Sequence, residues 1–570
     1  MAAWHEAGQV LARSGRRLGN GAPHWWQLVG LCVGLNLTET TLVAAFAPSS
    51  YPYLAPQASA VFPFGVFGDL RWVSVYHDSW PSLAAELVGV LFVRGALTAL
   101  SIALAWPSLI ARPSAATLLR RGAFAAALAS VLLWPSVALL FGLAVAPVSW
   151  LFLAAVPTAL LVAFVVHPAA VSADWWRRVV APRAIGWLAL AFVTMSLSSA
   201  VIAALPLAAW PVVAALSGLF NAWSWVGLVH AVVDRRPVRH LVPVAAMTTT
   251  VLVGIVVGGA VIGFSLAHRT PRAVASSSSS GTYPGAQAAV LVVSGYGSNW
   301  DGAAVHPFRG DFTEERFSYR GLAPSGQPLP YTSTDTAKPL LELDRMLLAQ
   351  VASLNRRTGE PVNVVAESEG ALIAKTALLA EPSPAVATLV MASPLEDPGR
   401  VWYPTQGDQG WGVASNEAMR LISDAFQGVA PIDLSPESPL FASLDRQAPV
   451  LETAMSCRIY GIRQFALLPL ADATVTPATE QLSFPSVVLP AFHGGLLETS
   501  AGRKIVSQVL DDRRVSQDRL MVLAEKAISY AASAWQVPSL AASDYPKQPA
   551  RSDRCGAVAA EFHAALLRSR

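Results

Sequence analysis

Ser368 lies in the run Val362-Asn363-Val364-Val365-Ala366-Glu367-Ser368-Glu369-Gly370-Ala371-Leu372-Ile373-Ala374, where a β-branched stretch gives way to small-x-Ser-x-Gly and then to helix-forming residues. That pattern is what a nucleophile elbow needs: a strand, a strained turn that exposes a hydroxyl, and a helix whose N-terminus faces a developing oxyanion. A serine hydroxyl attacks a carbonyl only if a base takes its proton, and the base needs a third group to hold its tautomer and stabilise the imidazolium. Downstream, Leu470-Ala471-Asp472-Ala473-Thr474-Val475-Thr476-Pro477 offers an acid and Ala491-Phe492-His493-Gly494-Gly495 offers a base, in the chain order Ser, Asp, His. Asp397 is the rival acid, placed after the preceding predicted strand. The bare [Gly/Ala]-x-Ser-x-Gly pattern should occur by chance about 0.5 times in a chain this long at average residue usage. The strand before it and the helix after it therefore carry the assignment. The chemistry so expected is acyl transfer through an acyl-Ser368 intermediate, with neither cofactor nor metal.

Bringing these groups to one rim requires a mostly parallel sheet covered on both faces, and the second half of the chain alternates strand and helix accordingly. An apolar run predicts a buried strand over 288–293, and further strands are read over 315–319, 361–365, 387–391, 457–461 and 486–489. A helix is predicted over 335–357, with Asp335 as N-cap and Leu340, Leu343, Leu347 and Val351 at helical spacing. Further helices follow Ser368 and lie near 515–536, while 394–452, with Trp402, Tyr403 and Trp411, reads as a long irregular insertion.

With these residues in view, the chain over about 286–512 resembles the α/β-hydrolase superfamily, in particular its lipase and esterase branches. The Asp472-x-x-Val475-x-Pro477 and His493-Gly494-Gly495-Leu496-Leu497 runs look like that superfamily's acid and histidine loops. Ser294-Gly295-Tyr296-Gly297 looks like its oxyanion loop, and Phe317-Ser318-Tyr319-Arg320-Gly321 is similar to a strand-end segment common in bacterial lipases. The resemblance implies that the oxyanion donors are the backbone N–H of Glu369 and that of Tyr296 or Gly297. Two features depart from the pattern. Ala366 stands in place of the first glycine, and Glu367 and Glu369 flank the serine. Two carboxylates there disfavour an anionic transition state unless they are solvated or turned away.

The remainder of the chain has a different character. Of 570 residues, 53% are hydrophobic and 14% charged, against about 25% charged in a soluble globular chain. Residues 1–270 contain no lysine and few acids, so at least two domains are required. The net charge of +3 and the lack of a basic, aromatic-interleaved patch argue against a nucleic-acid partner. Seven stretches of roughly 20 apolar residues could cross a bilayer: 27–47, 82–106, 122–144, 148–167, 184–207, 209–232 and 241–265. Alternate loops hold twelve arginines (13, 16, 17, 112, 120, 121, 177, 178, 183, 235, 236, 239) against Arg71 alone in the others. That bias predicts a cytoplasmic N-terminus and, after seven crossings, an extracytoplasmic C-terminal half. Ala45-Phe46-Ala47 resembles a cleavage site, but Pro48 follows directly, so the first span is read as an uncleaved anchor.

The predicted organisation is a cytoplasmic segment 1–26, a seven-helix transmembrane domain 27–267, a Ser-rich linker 268–285 and a hydrolase-like domain 286–570. The aromatic loop 48–81 is expected at the outer interface. Glu39 and Arg94 fall at similar depth in the first two spans, and an ion pair between them would relieve the cost of two lone intramembrane charges. Cys457 and Cys555, two of three cysteines, could form one disulfide in an oxidising compartment or stand as unrelated thiols, while Cys32 lies in an apolar run. The expected partners are the lipid bilayer and an ester or lipid-like substrate. The acyl acceptor stays open between water and an envelope hydroxyl. The rival expectation, from another class, is a transport or scaffold protein carrying a non-catalytic hydrolase-like binding domain.

Overall fold

A computed structural model describes residues 24–46, 55–145, 162–177, 181–233, 288–304, 308, 312–395, 407, 409–427, 433, 435, 437–470, 482, 484–491, 493–516, 518–533, 535 and 551–568. The N-terminal part is helical: α1 (Trp25–Phe46), α2 (Phe64–Tyr76), α3 (Trp80–Ala105), α4 (Ala115–Val145), α5 (Pro182–Ala204) and α6 (Trp210–Val233). Among the described residues five stretches, rather than the seven predicted, are long and apolar enough to cross a membrane: Trp25–Phe46, Trp80–Ala105, Ala115–Trp134, Pro182–Ile202 and Leu207–Val233. The predicted span 241–265 and most of 148–167 lie outside the described residues, as do the linker 268–285 and nearly all of 1–26; residues 162–166, at the described end of 148–167, are helical.

The described part of the loop after α1 folds inward against the helices. With 13 residues, α2 extends about 20 Å at ~1.5 Å per residue and is too short to cross. It packs inside the helix cluster, with Phe64, Phe67, Leu70 and Arg71 all at most 1% exposed. Irregular backbone is tolerated at such a place only when its polar groups find partners inside the protein. Here Ser59 is held on three sides: its N–H donates to Asn36 Oδ1 at 3.1 Å, its Oγ accepts from Asn221 Nδ2 at 2.9 Å, and its carbonyl accepts from Trp225 Nε1 at 3.2 Å. Arg71 donates to Gln57 Oε1.

This inward fold also replaces the predicted Glu39–Arg94 contact. Arg94 Nε and Nη2 donate to the two carboxylate oxygens of Asp69, each at 2.5 Å, and Nη1 donates to the Ala58 carbonyl at 2.6 Å. Glu39 Oε2 instead accepts the N–H groups of Gln57 and Ala58 at 2.6 and 2.8 Å. Glu39 takes the N–H of Ala58 and Arg94 its carbonyl, so the two charges are bridged by that residue rather than paired. Asp69 competes successfully because it presents both oxygens to the planar guanidinium.

The C-terminal part is an α/β domain. Its strands are β1 (Ala288–Val293), β2 (Phe312–Arg316), β3 (Val362–Glu367), β4 (Val386–Ala392), β5 (Arg463–Pro469) and β6 (Ser486–Leu489). They form one sheet in the order β2-β1-β3-β4-β5-β6, every neighbouring pair parallel. Its helices are α7 (Leu340–Thr358), α8 (Glu369–Ala380), α9 (Val413–Gln427), α10 (Pro439–Ser456), α11 (Ser500–Leu510), α12 (Arg519–Ser533) and α13 (Arg551–Arg568). Both sheet faces are covered, which is why the strands read as continuous apolar runs. Ala289, Leu291 and Val293 share a core with α7, α8, α10 and α13, while Val290 and Val292 face the cluster that contains Val506 and Val509 of α11.

Several predicted boundaries shift. The second strand is 312–316, not 315–319, and the strand expected at 457–461 begins at Arg463. Asp335 caps a short 3-10 turn, Ser333–Ala337, through a reciprocal box with Thr332, and α7 begins only after Pro339. The insertion is not irregular throughout: α9 and α10 occupy much of it. Gly and Pro mask α10 in the sequence, yet Leu440, Phe441, Leu444, Leu451 and Met455 all turn one buried face to the core. Cys457 and Cys555 are joined by a disulfide that ties the end of α10 to α13.

Among the described residues the two parts touch through the start of α9 and through Trp535. The Gly410, Gly412 and Ala414 N–H groups donate to Asp78 O, His77 O and His77 Nε2 at 2.8, 2.7 and 2.8 Å, which docks the start of α9 onto the connection between α2 and α3. Trp535, beyond α12, donates to Ser196 Oγ at 2.9 Å and stacks on Phe192 at 4.4 Å.

Candidate active site

In a sheet of this order the chain runs from β1 outward to β2 and then returns to β3 on the other side of β1. The connection from β1 to β2, with Phe308 in the cluster on one face, and α7, between β2 and β3 on the other, therefore leave to opposite sides, and the crevice at the carboxyl ends of β1 and β3 is where ligands bind in open α/β sheets. Ser368 follows β3, and Ser294 follows β1, at that crevice.

Ser368 adopts φ 56° and ψ −120°, a conformation that residues with a side chain seldom enter. It is over-determined from both sides. Its N–H donates to Ala392 O of β4 at 2.9 Å, and its carbonyl accepts from Ala371 and Leu372 of α8 at 2.9 and 3.2 Å. The turn fits only because its neighbours are small. A Cβ on Gly370 would lie 2.6 Å from Val293 O and 2.7 Å from Ser294 O, so the last residue of the Ser-x-Gly pattern must be glycine for α8 to leave past β1. A Cβ on Gly295 would lie 3.0 Å from Ser368 Cβ.

His493 sits four residues beyond β6, and its Nε2 lies 2.8 Å from Ser368 Oγ. The two side chains are 125 residues apart in the chain, and the fold brings them within hydrogen-bond reach, the distance general-base catalysis requires. The candidate acids Asp472 and Asp397 lie outside the described residues; in the sequence they follow β5 and β4 by three and five residues.

The predicted oxyanion donors are placed as follows. The Glu369 N–H opens α8 and, as a first-turn amide, has no intrahelical partner. Gly297 N–H donates to Thr336 Oγ1 at 2.9 Å and so is committed to the short 3-10 turn. Of the pair named from sequence, this favours Tyr296 N–H as the second donor. The Tyr296 ring packs on Phe441 at 5.4 Å and its hydroxyl donates to Asp433 O, so the oxyanion loop and the insertion hold one another.

The two glutamates that flank Ser368 point to different surroundings. Burial pushes Glu367 up to about 7; the nearby His493 and the N–H groups of Leu497 and Leu496 pull the other way. Glu369 is 1% exposed, burial holds its carboxyl well above the usual range, and its Oε2 lies 3.2 Å from the Tyr319 hydroxyl. The proximity of Glu367 to His493 could not be read from the sequence, because it depends on how the turn after β6 folds back across β3. Tyr319 lies in the Phe317–Gly321 segment singled out above, but its contact with Glu369 had no signal there.

Neither a protein-family model nor a curated protein matches this chain.

Proposed function

We propose that the chain is a membrane-anchored serine hydrolase of the α/β-hydrolase type that cleaves, or transfers the acyl group of, lipid-like esters. The observation that carries this reading is the 2.8 Å contact between Ser368 Oγ and His493 Nε2 at a positive-φ turn between a buried strand and a helix N-terminus. As Ser368 Oγ bonds to the ester carbonyl carbon, His493 Nε2 takes its proton. The carbonyl oxygen becomes an oxyanion facing the Glu369 and Tyr296 N–H groups. When the tetrahedral species collapses, the C–O bond to the leaving alcohol breaks and His493 returns the proton to that oxygen. Water, or an acceptor hydroxyl, then attacks acyl-Ser368 with His493 as base, releasing the acid or the new ester. Asp472 is the acid proposed to orient His493, with Asp397 as its rival.

Lipid-like substrates are favoured by where the site faces. The insertion leaves the sheet from the same edge that carries Ser368, touches the oxyanion loop through Tyr296, and docks on the apolar-helix domain through His77 and Asp78. The arginine bias of the first half supports an extracytoplasmic position for the domain.

The test is labelling of the full-length, detergent-solubilised protein with a fluorophosphonate probe, alongside hydrolysis of short and long p-nitrophenyl esters. Wild type should be labelled and active, and Ser368→Ala should lose both while keeping its thermal transition. A wild type that is folded yet inert to the probe ends this reading in favour of a non-catalytic binding domain.

A further inference from the structure

We propose that Glu369 acts as a neutral carboxylic acid that positions the oxyanion loop through Tyr319, a role that rests on the hydrolase reading above. Three groups form a buried line from the helix that follows the nucleophile to the loop that faces it. Glu369 Oε2 is 3.2 Å from Tyr319 Oη, and Tyr319 Oη is 2.5 Å from the carbonyl oxygen of Ser294. Tyr319 is fully buried and Glu369 is 1% exposed. Ser294 is the first residue after β1 and the start of the Ser-Gly-Tyr-Gly run, and its Oγ also accepts from Arg316 Nη2.

Counting protons fixes the direction of the line. The Ser294 carbonyl has no hydrogen, so the short contact requires the phenol to donate to it. The phenol has one proton. Its remaining contact, with Glu369, is then a hydrogen bond only if the carboxyl supplies the hydrogen. Glu369 Oε1 has no partner among the described residues, which a buried ionised carboxylate could not sustain but the carbonyl oxygen of an acid can. Burial of both groups also raises the Glu369 and Tyr319 pKa values, in keeping with an acid and a phenol rather than their anions.

The consequence is twofold. The side chain next to the oxyanion carries no charge to repel it, although a glutamate stands in the sequence. The chain Glu369, Tyr319, Ser294 also fixes the carbonyl at the root of the loop. The Tyr296 N–H lies two residues on, so the separation of the two oxyanion donors is set from inside the protein.

The experiment compares wild type, Glu369→Gln, Glu369→Leu and Tyr319→Phe in the full-length protein, by kcat and KM on a p-nitrophenyl ester and by fluorophosphonate labelling rate. An amide can donate to the phenol as the acid does. Glu369→Gln should therefore retain at least tenfold more kcat than Glu369→Leu, and Tyr319→Phe should lose kcat with KM little changed. The loss for Leu and Phe should reach about 10–100-fold, somewhat less than removal of an oxyanion donor itself. Infrared difference spectra of wild type minus Glu369→Gln at neutral pH should show the C=O stretch of a protonated carboxyl. A carboxylate band in that spectrum, or a Leu variant as fast as the Gln variant, overturns the proposal. If wild type is not labelled at all, the hydrolase reading falls and the positioning role with it, while the spectrum still reports whether Glu369 holds its proton.

Discussion

A Cβ placed on Gly295 would approach Ser368 Cβ to 3.0 Å and Ser368 Oγ to 3.5 Å. Gly295 is not in the left-handed region, so alanine there would meet no backbone penalty and its whole effect would be crowding. The methyl group must push either the nucleophile or the oxyanion loop by a few tenths of an ångström. Since misplacement on the order of 1 Å can cost ~100-fold, Gly295→Ala should lower kcat about 10-fold or more while leaving the melting transition in place. Ester hydrolysis and a thermal scan check this together; a variant with normal kcat would mean that the loop has slack.

Glu367 and His493 should titrate as a coupled pair. Burial lifts the Glu367 carboxyl to about 7, and its charge and that of His493 favour one another. When ionised, Glu367 stabilises the imidazolium and so raises the pKa of the base. Glu367→Gln removes that support, so the acid limb of kcat/KM should move to lower pH, by on the order of one unit for a nearby opposite charge. The limb should also simplify from two interacting ionisations to one. The pH profile of kcat/KM between pH 5 and 9 is the measurement. A limb that stays put, or moves up, would show that the carboxyl does not sense the histidine.

Much of the α/β half could be read from its residues because the inner strands are buried on both faces and so announce themselves as apolar runs, while the half-buried edge strand β2, Phe312–Arg316, does not. Val362–Ala366 and Ala289–Val293 are examples. The order Ser368, then His493, was legible for the same reason, since both follow such runs. What the sequence hid depends on contacts between distant segments. The α10 helix carries Pro449 and is flanked by Gly and Pro, so its apolar face has no clean period. The partner of Arg94 was misread because Asp69 lies in a loop whose aromatic content suggests an interface. Only the packing of α2 among the long helices brings that carboxylate inward. The contact of Glu369 with Tyr319 joins residues 50 positions apart, and no local pattern encodes it.

Asp69 and Arg94 should therefore couple more strongly than Glu39 and Arg94. The Asp69 pair is bidentate and largely enclosed, with the arginine side chain 10% exposed. Removing one member of an enclosed pair costs about 3–5 kcal/mol because the other charge is stranded. Arg94→Ala or Asp69→Ala alone should thus be strongly destabilising, and the double variant should recover part of the loss. A double-mutant cycle on unfolding in detergent gives the coupling directly. The parallel cycle with Glu39→Ala should give a smaller value, since Glu39 is satisfied by two backbone N–H groups. Equal coupling in the two cycles would restore a direct role for Glu39.

His77 makes the docking of α9 sensitive to acid. Its Nε2 accepts the Ala414 N–H at 2.8 Å, so Nδ1 carries the ring proton and faces Val73 O. Protonating Nε2 would set N–H against N–H. Burial accordingly lowers the His77 pKa from 6.5, opposed by the Val73 carbonyl and by the neighbouring Asp78. The sign follows from linkage. The undocked form binds the proton more readily, so the contribution of this contact is complete above about 6.5 and is lost as pH falls from there through the lower docked-state pKa. Stranding the Ala414 donor costs about 1–3 kcal/mol. Hydrogen exchange over 410–416, corrected for the intrinsic pH dependence, should show protection that falls between pH 7 and pH 5. In His77→Phe, which has no acceptor, protection should be low at both pH values and flat between them. Because the same segment leads into the insertion that holds Tyr296, loss of this contact in acid should also lower kcat before the α/β sheet itself unfolds. Protection that is equal at pH 5 and pH 7 in the wild type would sink the idea.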